Sequence, residues 1–228
     1  MNRTASSISV IIPACNEAGT IQSVVAGIKA NLGNQIQLLV VDDGSNDGTA
    51  RIAEMAGAEI LRHSTNRGKG TALRTGIASS TGDLIITIDA DGQDDPRDLP
   101  ALLERAEEGA DLVIGSRFIG RLEPGAISLP NRMGTHFFNL LINTLYKSEI
   151  TDSQAGVRCF RRSLLNRMQW RATEYEVETE MLIQALKLGA TVAEVPVSRY
   201  KRAAGVTSFS RLRHGIRILS TVVAGKMP

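Results

Sequence analysis

Leu84-Ile85-Ile86-Thr87-Ile88 runs straight into Asp89-Ala90-Asp91-Gly92-Gln93, and this junction decides the fold. Five mostly β-branched apolar residues predict a strand buried on both faces. Where it should end, two carboxylates stand one residue apart. Alternate positions of an extended chain point to the same side, so Asp89 and Asp91 can converge on one point. A hard divalent ion, Mg²⁺ or Mn²⁺, is the natural guest there, because it keeps open positions for phosphate oxygens. An acidic turn with Gly92 at its corner is the other reading, and spacing alone leaves both open.

Upstream, the same arrangement recurs. Ser7 to Ile12 predicts a strand ended by Pro13, and Asn16 to Thr20 predicts a loop into a helix whose apolar positions are Ile21, Val24, Val25 and Ile28. Ile36 to Val41 predicts a second buried strand, again ending in carboxylates, Asp42 and Asp43. Asn46-Asp47-Gly48-Thr49 reads as turn and N-cap of a helix over 50–56 closed by Gly57. Ala58 to Arg62 is a third strand, and Gly68-Lys69-Gly70 opens another helix. This βαβαβαβ order implies an α/β fold, a parallel sheet with helices on both faces. Ligands then bind beyond the carboxyl ends of the strands. Pro13–Glu17, Asp42-Asp43 and Asp89–Asp91 all fall there, which favours the ion over the acidic turn. Two phosphate-loop patterns fail: His63 stands where a Walker loop ahead of Lys69 needs glycine, and Leu73 breaks the dinucleotide fingerprint begun by Gly68 and Gly70.

Downstream, Asp94-Asp95-Pro96 starts a helix to about Glu108, and Asp111 to Gly115 predicts a strand followed by Ser116-Arg117. Ile119 to Pro130, with two prolines, reads as a mobile loop. Asn131 to Lys147 is amphipathic: Phe138, Leu141, Ile142 and Leu145 form one face, which Phe137 and Leu140 widen. That face can pack on the sheet or lie against lipid. Glu174, Glu176, Glu178 and Glu180 lead into a helix from Thr179 to Leu188, where acid suits the N-terminal dipole. A strand over Thr191–Val197 and a short helix over His214–Ala224 complete the chain.

The 228 residues, 43% of them hydrophobic, can bury a sizeable core, and a net charge of +2 gives no reason to expect nucleic acid. From Val195 onward seven basic residues stand without an acidic one, which suits an anionic surface or phosphate ligand, although a solvated basic tail is commoner. Cys15 and Cys159 are too few for a disulfide framework, and the N-terminus lacks a charged-then-apolar signal, so a cytosolic location is expected. No apolar run approaches the roughly 20 residues needed to span a bilayer. The expectation is a soluble or peripheral protein.

Four stretches, Pro13-Ala14-Cys15-Asn16-Glu17, Val41 to Thr49, Asn66-Arg67-Gly68-Lys69-Gly70 and Asp89-Ala90-Asp91, resemble in order the signature of family 2 glycosyltransferases. Asp152 to Phe160, Glu178 to Leu182 and the loop from Arg202 to Ser208 also have counterparts. The closest pattern within that family is the dolichyl- and polyprenyl-phosphate hexosyltransferases. The resemblance implies a GT-A fold in one domain over 1–228, with roughly 1–115 as a nucleotide-binding half and 116–228 as an acceptor-binding half whose helices can face a membrane. It places Pro13, Glu17, Asp42 and Asp43 around base and ribose, with Ala90 also at the nucleotide. Lys69 serves either the diphosphate or only the surface. Asp89, Asp91 and Gln93 would hold Mg²⁺ or Mn²⁺, with Asp91 counted as catalytic. Arg117, Arg132 and Arg202 would handle phosphate charge.

The implied reaction is inverting transfer of a hexose from GDP-mannose or UDP-glucose to a polyprenyl phosphate. A phosphate acceptor is already nucleophilic and needs no base. A hydroxyl on a soluble sugar or small acid would need one, and Asp152 is the candidate. A nucleotidyltransferase is a further alternative, although Ala14 to Thr20 lacks the glycines and basic residue such enzymes carry after the first strand. A nucleotide-sugar-binding protein without activity is the last.

Overall fold

β1 (Ile8–Ala14), β2 (Gln37–Asp43), β3 (Glu59–His63) and β4 (Leu84–Thr87) alternate with α1 (Ile21–Leu32), α2 (Thr49–Met55) and α3 (Lys69–Ser79), as the apolar pattern dictates. The protein is described as a computed structural model covering residues 6–202 and 210–226. A 3₁₀ turn (Pro96–Asp98) and α4 (Leu99–Glu107) lead to β5 (Leu112–Leu122) and α5 (Leu129–Tyr146). Then come β6 (Arg158–Arg161), α6 (Arg162–Leu165), α7 (Val177–Lys187), β7 (Val192–Arg199) and α8 (Arg211–Ala224).

The seven strands form one sheet in the order β3-β2-β1-β4-β6-β5-β7, and only β6 runs antiparallel to its neighbours. This is the expected mostly parallel α/β architecture. Strand residues alternate between two apolar layers: Val10, Ile12, Ile86 and Ile88 face α1 and α4, while Ile11, Leu39 and Ile85 face α3, α5 and α7. Because β2 and β4 flank β1 on opposite sides, the strand order reverses at β1, and a crevice opens at the carboxyl ends of β1 and β4.

Several boundaries differ from expectation. Pro13 lies within β1 rather than ending it. Ile11 accepts from the Ile88 N–H on the β4 side, and Pro13, two residues on, faces that same side beyond the last paired residue of β4, so its missing N–H leaves nothing unpaired. The loop expected over 119–130 shrinks to 123–128. β5 continues past an irregularity after Ser116 and pairs Arg121 with Ser198 and Leu122 with Arg199. Gly120 permits this, since a Cβ there would collide with the Val197 backbone. α5 divides its apolar residues: Ile142 is buried, whereas Phe137 and Leu140 are exposed. Of the segment from Arg202 to Ser208, only Arg202 belongs to the described residues.

Candidate active site

Two loops at the crevice are fixed to each other by side chains of the 42–49 stretch. Ser45 Oγ accepts the Asn16 N–H, Thr49 Oγ1 accepts that of Glu17, and Asp47 Oδ2 accepts that of Ala18. Asn16 Oδ1 returns a bond from the Asn46 N–H, and Asn16 itself adopts a positive φ of 56°. Asparagine tolerates that conformation better than most residues. The polar residues between β2 and α2 therefore build the loop between β1 and α1.

The antiparallel entry of β6 and the parallel entry of β7 bring the second half of the chain to the same edge. Thr87 pairs with Arg158, so the 152–157 segment lies past the end of β4. Gly156 packs against the Asp89 carboxylate, where any Cβ would come within 2.8 Å of an oxygen. Beyond β7, the Tyr200 N–H donates to the Gln93 carbonyl at 2.7 Å, which turns Arg199 and Arg202 back toward Asp91.

The result is a compact cluster of alternating charge. Lys69 Nζ stands 2.6 Å from Asp89 Oδ1 and 2.7 Å from Glu178 Oε1. Arg202 joins Glu17 at 2.9 Å to Asp91 at 2.8 Å. Arg199 donates to Asp94 at 2.6 Å and to Gln93 Oε1 at 3.0 Å, and sits 3.5 Å from Asp91. Burial works against the Lys69 ammonium, but Asp89 and Glu178 outweigh it and hold the lysine charged. The two aspartates are pushed apart. Burial also opposes ionisation of Asp89, yet Lys69 and Arg199 draw its pKa below the usual carboxylate value, whereas burial and the neighbouring Asp89 charge raise Asp91. Gly68 and Gly70 do not cradle a ligand. Their bare Cα atoms admit the 172–173 backbone, and Gly70 N–H donates to the Thr173 carbonyl.

Asp42 and Asp43, adjacent in sequence, have different work. Asp43 Oδ1 accepts from Arg67 N–H and contacts His63 Nδ1 at 2.6 Å, while Oδ2 accepts from Gly68 N–H. Both oxygens thus help fold the turn into α3. Asp42 Oδ1 accepts the Ser45 N–H, but Oδ2 is buried without a hydrogen bond, and only the largely exposed Arg62 approaches it, at 3.2 Å. A cavity of about 330 Å³ lined by Ser45, Asn46, Arg62 and His63 lies alongside.

Asp152 is fully buried, and Arg117 occupies both its oxygens, at 2.6 and 2.7 Å. Asp152 is therefore paired with Arg117 rather than free, and Nε and Nη2 of the guanidinium are engaged by it. Arg132, on the first turn of α5, is exposed and is not brought into the cluster.

Residues 9–168 match the sequence profile of Glycosyl transferase family 2. The chain belongs to that family. It is 32% identical over 215 residues to an undecaprenyl-phosphate 4-deoxy-4-formamido-L-arabinose transferase of Klebsiella pneumoniae, a match covering 90% of this chain and 63% of that one. It is 29% identical over 222 residues to a dolichyl-phosphate hexose transferase of Haloferax volcanii, covering 96% and 94%. Among solved structures it resembles glucosyl-3-phosphoglycerate synthase of Mycobacterium tuberculosis in complex with Mn²⁺, uridine diphosphate and glucosyl-3-phosphoglycerate. There the TM-score is 0.78 at 26% identity, covering 98% of this chain and 81% of that one. The expected GT-A fold is that of this glycosyltransferase, and the nucleotidyltransferase alternative loses its support.

Four residues of this family 2 enzyme escaped sequence reasoning as site residues: Arg199, Asp94, Glu178 and Arg158. Arg199 reads as part of a basic tail and Glu178 as dipole-complementing acid; only the fold sets them against Asp94 and Lys69. Arg158 is 1% exposed and donates to the carbonyls of Ser153, Ala155 and Glu178. Burial lowers its pKa to about 10, so it stays charged at neutral pH. It ties the 152–157 segment to the start of α7.

Proposed function

We propose that this glycosyltransferase moves a hexose from a nucleoside-diphosphate sugar to a polyprenyl phosphate, with inversion, at the cytosolic surface of a membrane. The observation that carries the acceptor is the state of Asp152. A hydroxyl acceptor needs a base, and the candidate base is buried in a bidentate pair with Arg117. A phosphate acceptor needs only cations to hold it. Arg202 fits that task, because its present partners are carboxylates, whose place a phosphate can take while a metal takes the arginine's place at Asp91.

A divalent ion fits the donor set. Five carboxylates (Glu17, Asp89, Asp91, Asp94, Glu178) face three cations (Lys69, Arg199, Arg202), which leaves two negative charges, the charge of one such ion. Asp89 and Asp91 would hold it, leaving positions for the diphosphate. Gln93 would join as a third ligand only by releasing Arg199. When bound, Mg²⁺ or Mn²⁺ neutralises the departing nucleoside diphosphate. Lys69 stands beside Asp89, where it can take up the same charge. Pro13, Glu17 and Ala90 would meet the nucleotide, and the Asp42 oxygen that has only Arg62 near it suits a donor N–H on the base. We infer from these roles that residues up to about 115 serve the donor and the remainder the acceptor. A soluble acceptor is the second reading, favoured by the name of the mycobacterial structural neighbour.

Thermal shift with GDP, UDP and their sugars, with and without Mn²⁺, tests the donor site: one nucleotide should stabilise the protein only with metal, and Asp91→Ala should abolish the shift. Equal stabilisation without metal would sink the metal assignment. Labelled donor with polyprenyl phosphate should then give a label extractable into organic solvent. Product formed only on soluble sugars or acids overturns the lipid acceptor.

A further inference from the structure

Ile150 to Ser153 belong to no helix or strand, yet every polar group of their main chain is paired. Asn139 and Asn143 stand one turn apart on the same face of α5, and each meets this segment as an edge strand would. Asn143 Nδ2 donates to the Ile150 carbonyl at 2.9 Å, and its Oδ1 accepts the Ile150 N–H at 2.8 Å. Asn139 Nδ2 donates to the Thr151 carbonyl, and its Oδ1 accepts the Ser153 N–H at 2.9 Å. Glu194 of β7 accepts the N–H of Asp152 on one oxygen, at 3.0 Å, and that of Thr151 on the other, at 2.9 Å. The last two carbonyls are met by the Ala155 N–H, at Asp152, and by Arg158 Nη2, at Ser153. Buried main chain must be paired, but here side chains of distant elements pair it and so fix one position for Asp152.

Glu194 also reaches the residue before Arg117. A carboxylate only accepts, so Thr151 Oγ1 donates to Glu194 at 2.7 Å and itself accepts from Ser116 Oγ at 2.6 Å. Ser116 is fully buried. One chain of hydrogen bonds thus joins β5, the 150–153 segment and β7 beside Arg117.

Arg117 is the group this frame holds. Its N–H and Nε reach Asp152 Oδ2 at 3.0 and 2.6 Å, and Nη2 reaches Oδ1 at 2.7 Å. Nη1 has no hydrogen-bond partner among the described residues. The guanidinium acts on the charge cluster of the crevice. Burial opposes ionisation of Asp89, and Arg117 joins Lys69 and Arg199 in overcoming it. A planar guanidinium gripped at two nitrogens presents the third in a fixed direction.

We propose that Glu194 and Asn139 are positioning residues: by pinning Asp152 they aim the unengaged Nη1 of Arg117 at the phosphate of the acceptor. This deepens the phosphate-acceptor reading and rests on it. The test is steady-state transfer to polyprenyl phosphate, with acceptor and donor varied separately. Glu194→Gln keeps the size of the side chain but sets an NH₂ group against a main-chain N–H. It should raise the acceptor KM about tenfold, with kcat and the donor KM near wild type, because a small misplacement of a binding group suffices. Asn139→Asp keeps the oxygen for Ser153 but loses the donor to Thr151, and should raise the acceptor KM about threefold. In an Arg117→Ala background neither change should raise it further, since the group being aimed is gone.

An equal cost in both backgrounds overturns the proposal, as does a donor KM that rises in step with the acceptor KM. An acceptor KM unchanged in both variants overturns it too. Unfolding of both variants, seen in the thermal midpoint, assigns the two residues to the scaffold alone and has the same consequence. A wild type that transfers only to soluble acceptors defeats the lipid reading instead, and the same comparison run on that acceptor then decides the positioning roles.

Discussion

The two sides of the crevice are built from different interactions. On the β1–β2 side, side-chain oxygens of Ser45, Asp47 and Thr49 accept backbone N–H groups of the neighbouring loop, and those bonds complete the fold. On the β4–β7 side, Lys69, Arg199 and Arg202 meet carboxylates from distant parts of the chain, with two negative charges left over. The first set fixes a shape and has nothing to exchange. The second consists of ion pairs that a metal, a diphosphate or an acceptor phosphate can replace one for one. On the proposed reading a charged ligand would enter where the protein is held by charge, beside a frame held by backbone hydrogen bonds.

The sharpest way to break that contrast is Asp91→Ala. Turnover should fall about 10³-fold in a labelled-sugar assay, with the thermal midpoint near wild type, because Arg202 keeps Glu17. A large loss of stability instead would mean that the carboxylate belongs to the frame.

Arg158→Met probes the opposite case, a cation that is part of the frame. Its loss leaves three buried carbonyls without their donor, and urea unfolding should show about 3 kcal/mol of destabilisation. A variant as stable as wild type would remove Arg158 from the scaffold.

Arg202→Ala should lower kcat/KM for the phosphate acceptor about tenfold to a hundredfold. The same change should tighten binding of Mn²⁺ alone in calorimetry, since a unit charge a few ångströms from Asp91 competes with about 4 kcal/mol at most near a protein surface. Weaker Mn²⁺ binding would show that the arginine does not stand where the ion goes.

The smallest effect concerns α8. His214 Nδ1 accepts the Ser210 N–H, which requires an unprotonated nitrogen there, and burial holds the imidazole pKa below its ordinary value. Glu174 opposes that shift, while Arg213 and Arg217 reinforce it. The unfolded chain therefore takes up the proton first as pH falls. Stability is present above the ordinary value, near about 6.5, and declines as pH drops below it. Hydrogen exchange in α8 should be faster at about pH 5.5 than at about pH 7.5, once corrected for intrinsic rates. Equal protection at both would remove His214 as the pin of this helix.

Legibility in the sequence follows the same division. β1, β2, β4 and the helices between them have short connections and strong apolar periodicity, so their order and the edge carrying Asp42, Asp89 and Asp91 were readable. The fate of adjacent Asp42 and Asp43 was not, because their division of labour depends on which oxygen meets the Arg67 and Gly68 amides. Pro13 misled because its cost depends on a neighbouring strand that ends early. The pairing of Asp152 was not legible either, because sequence does not tell that Arg117, 35 residues away, closes on it.

By itself, then, the sequence determined the parallel α/β half of the sheet, the family and the place of Asp89 and Asp91 just past the end of β4, since periodicity and turn residues are local properties of the chain. Only the tertiary structure decided which charges neutralise that pair. β6 reverses direction and β7 returns beside β5, and these long-range pairings bring Gly156, Arg199 and Arg202 to carboxylates that lie far from them in sequence.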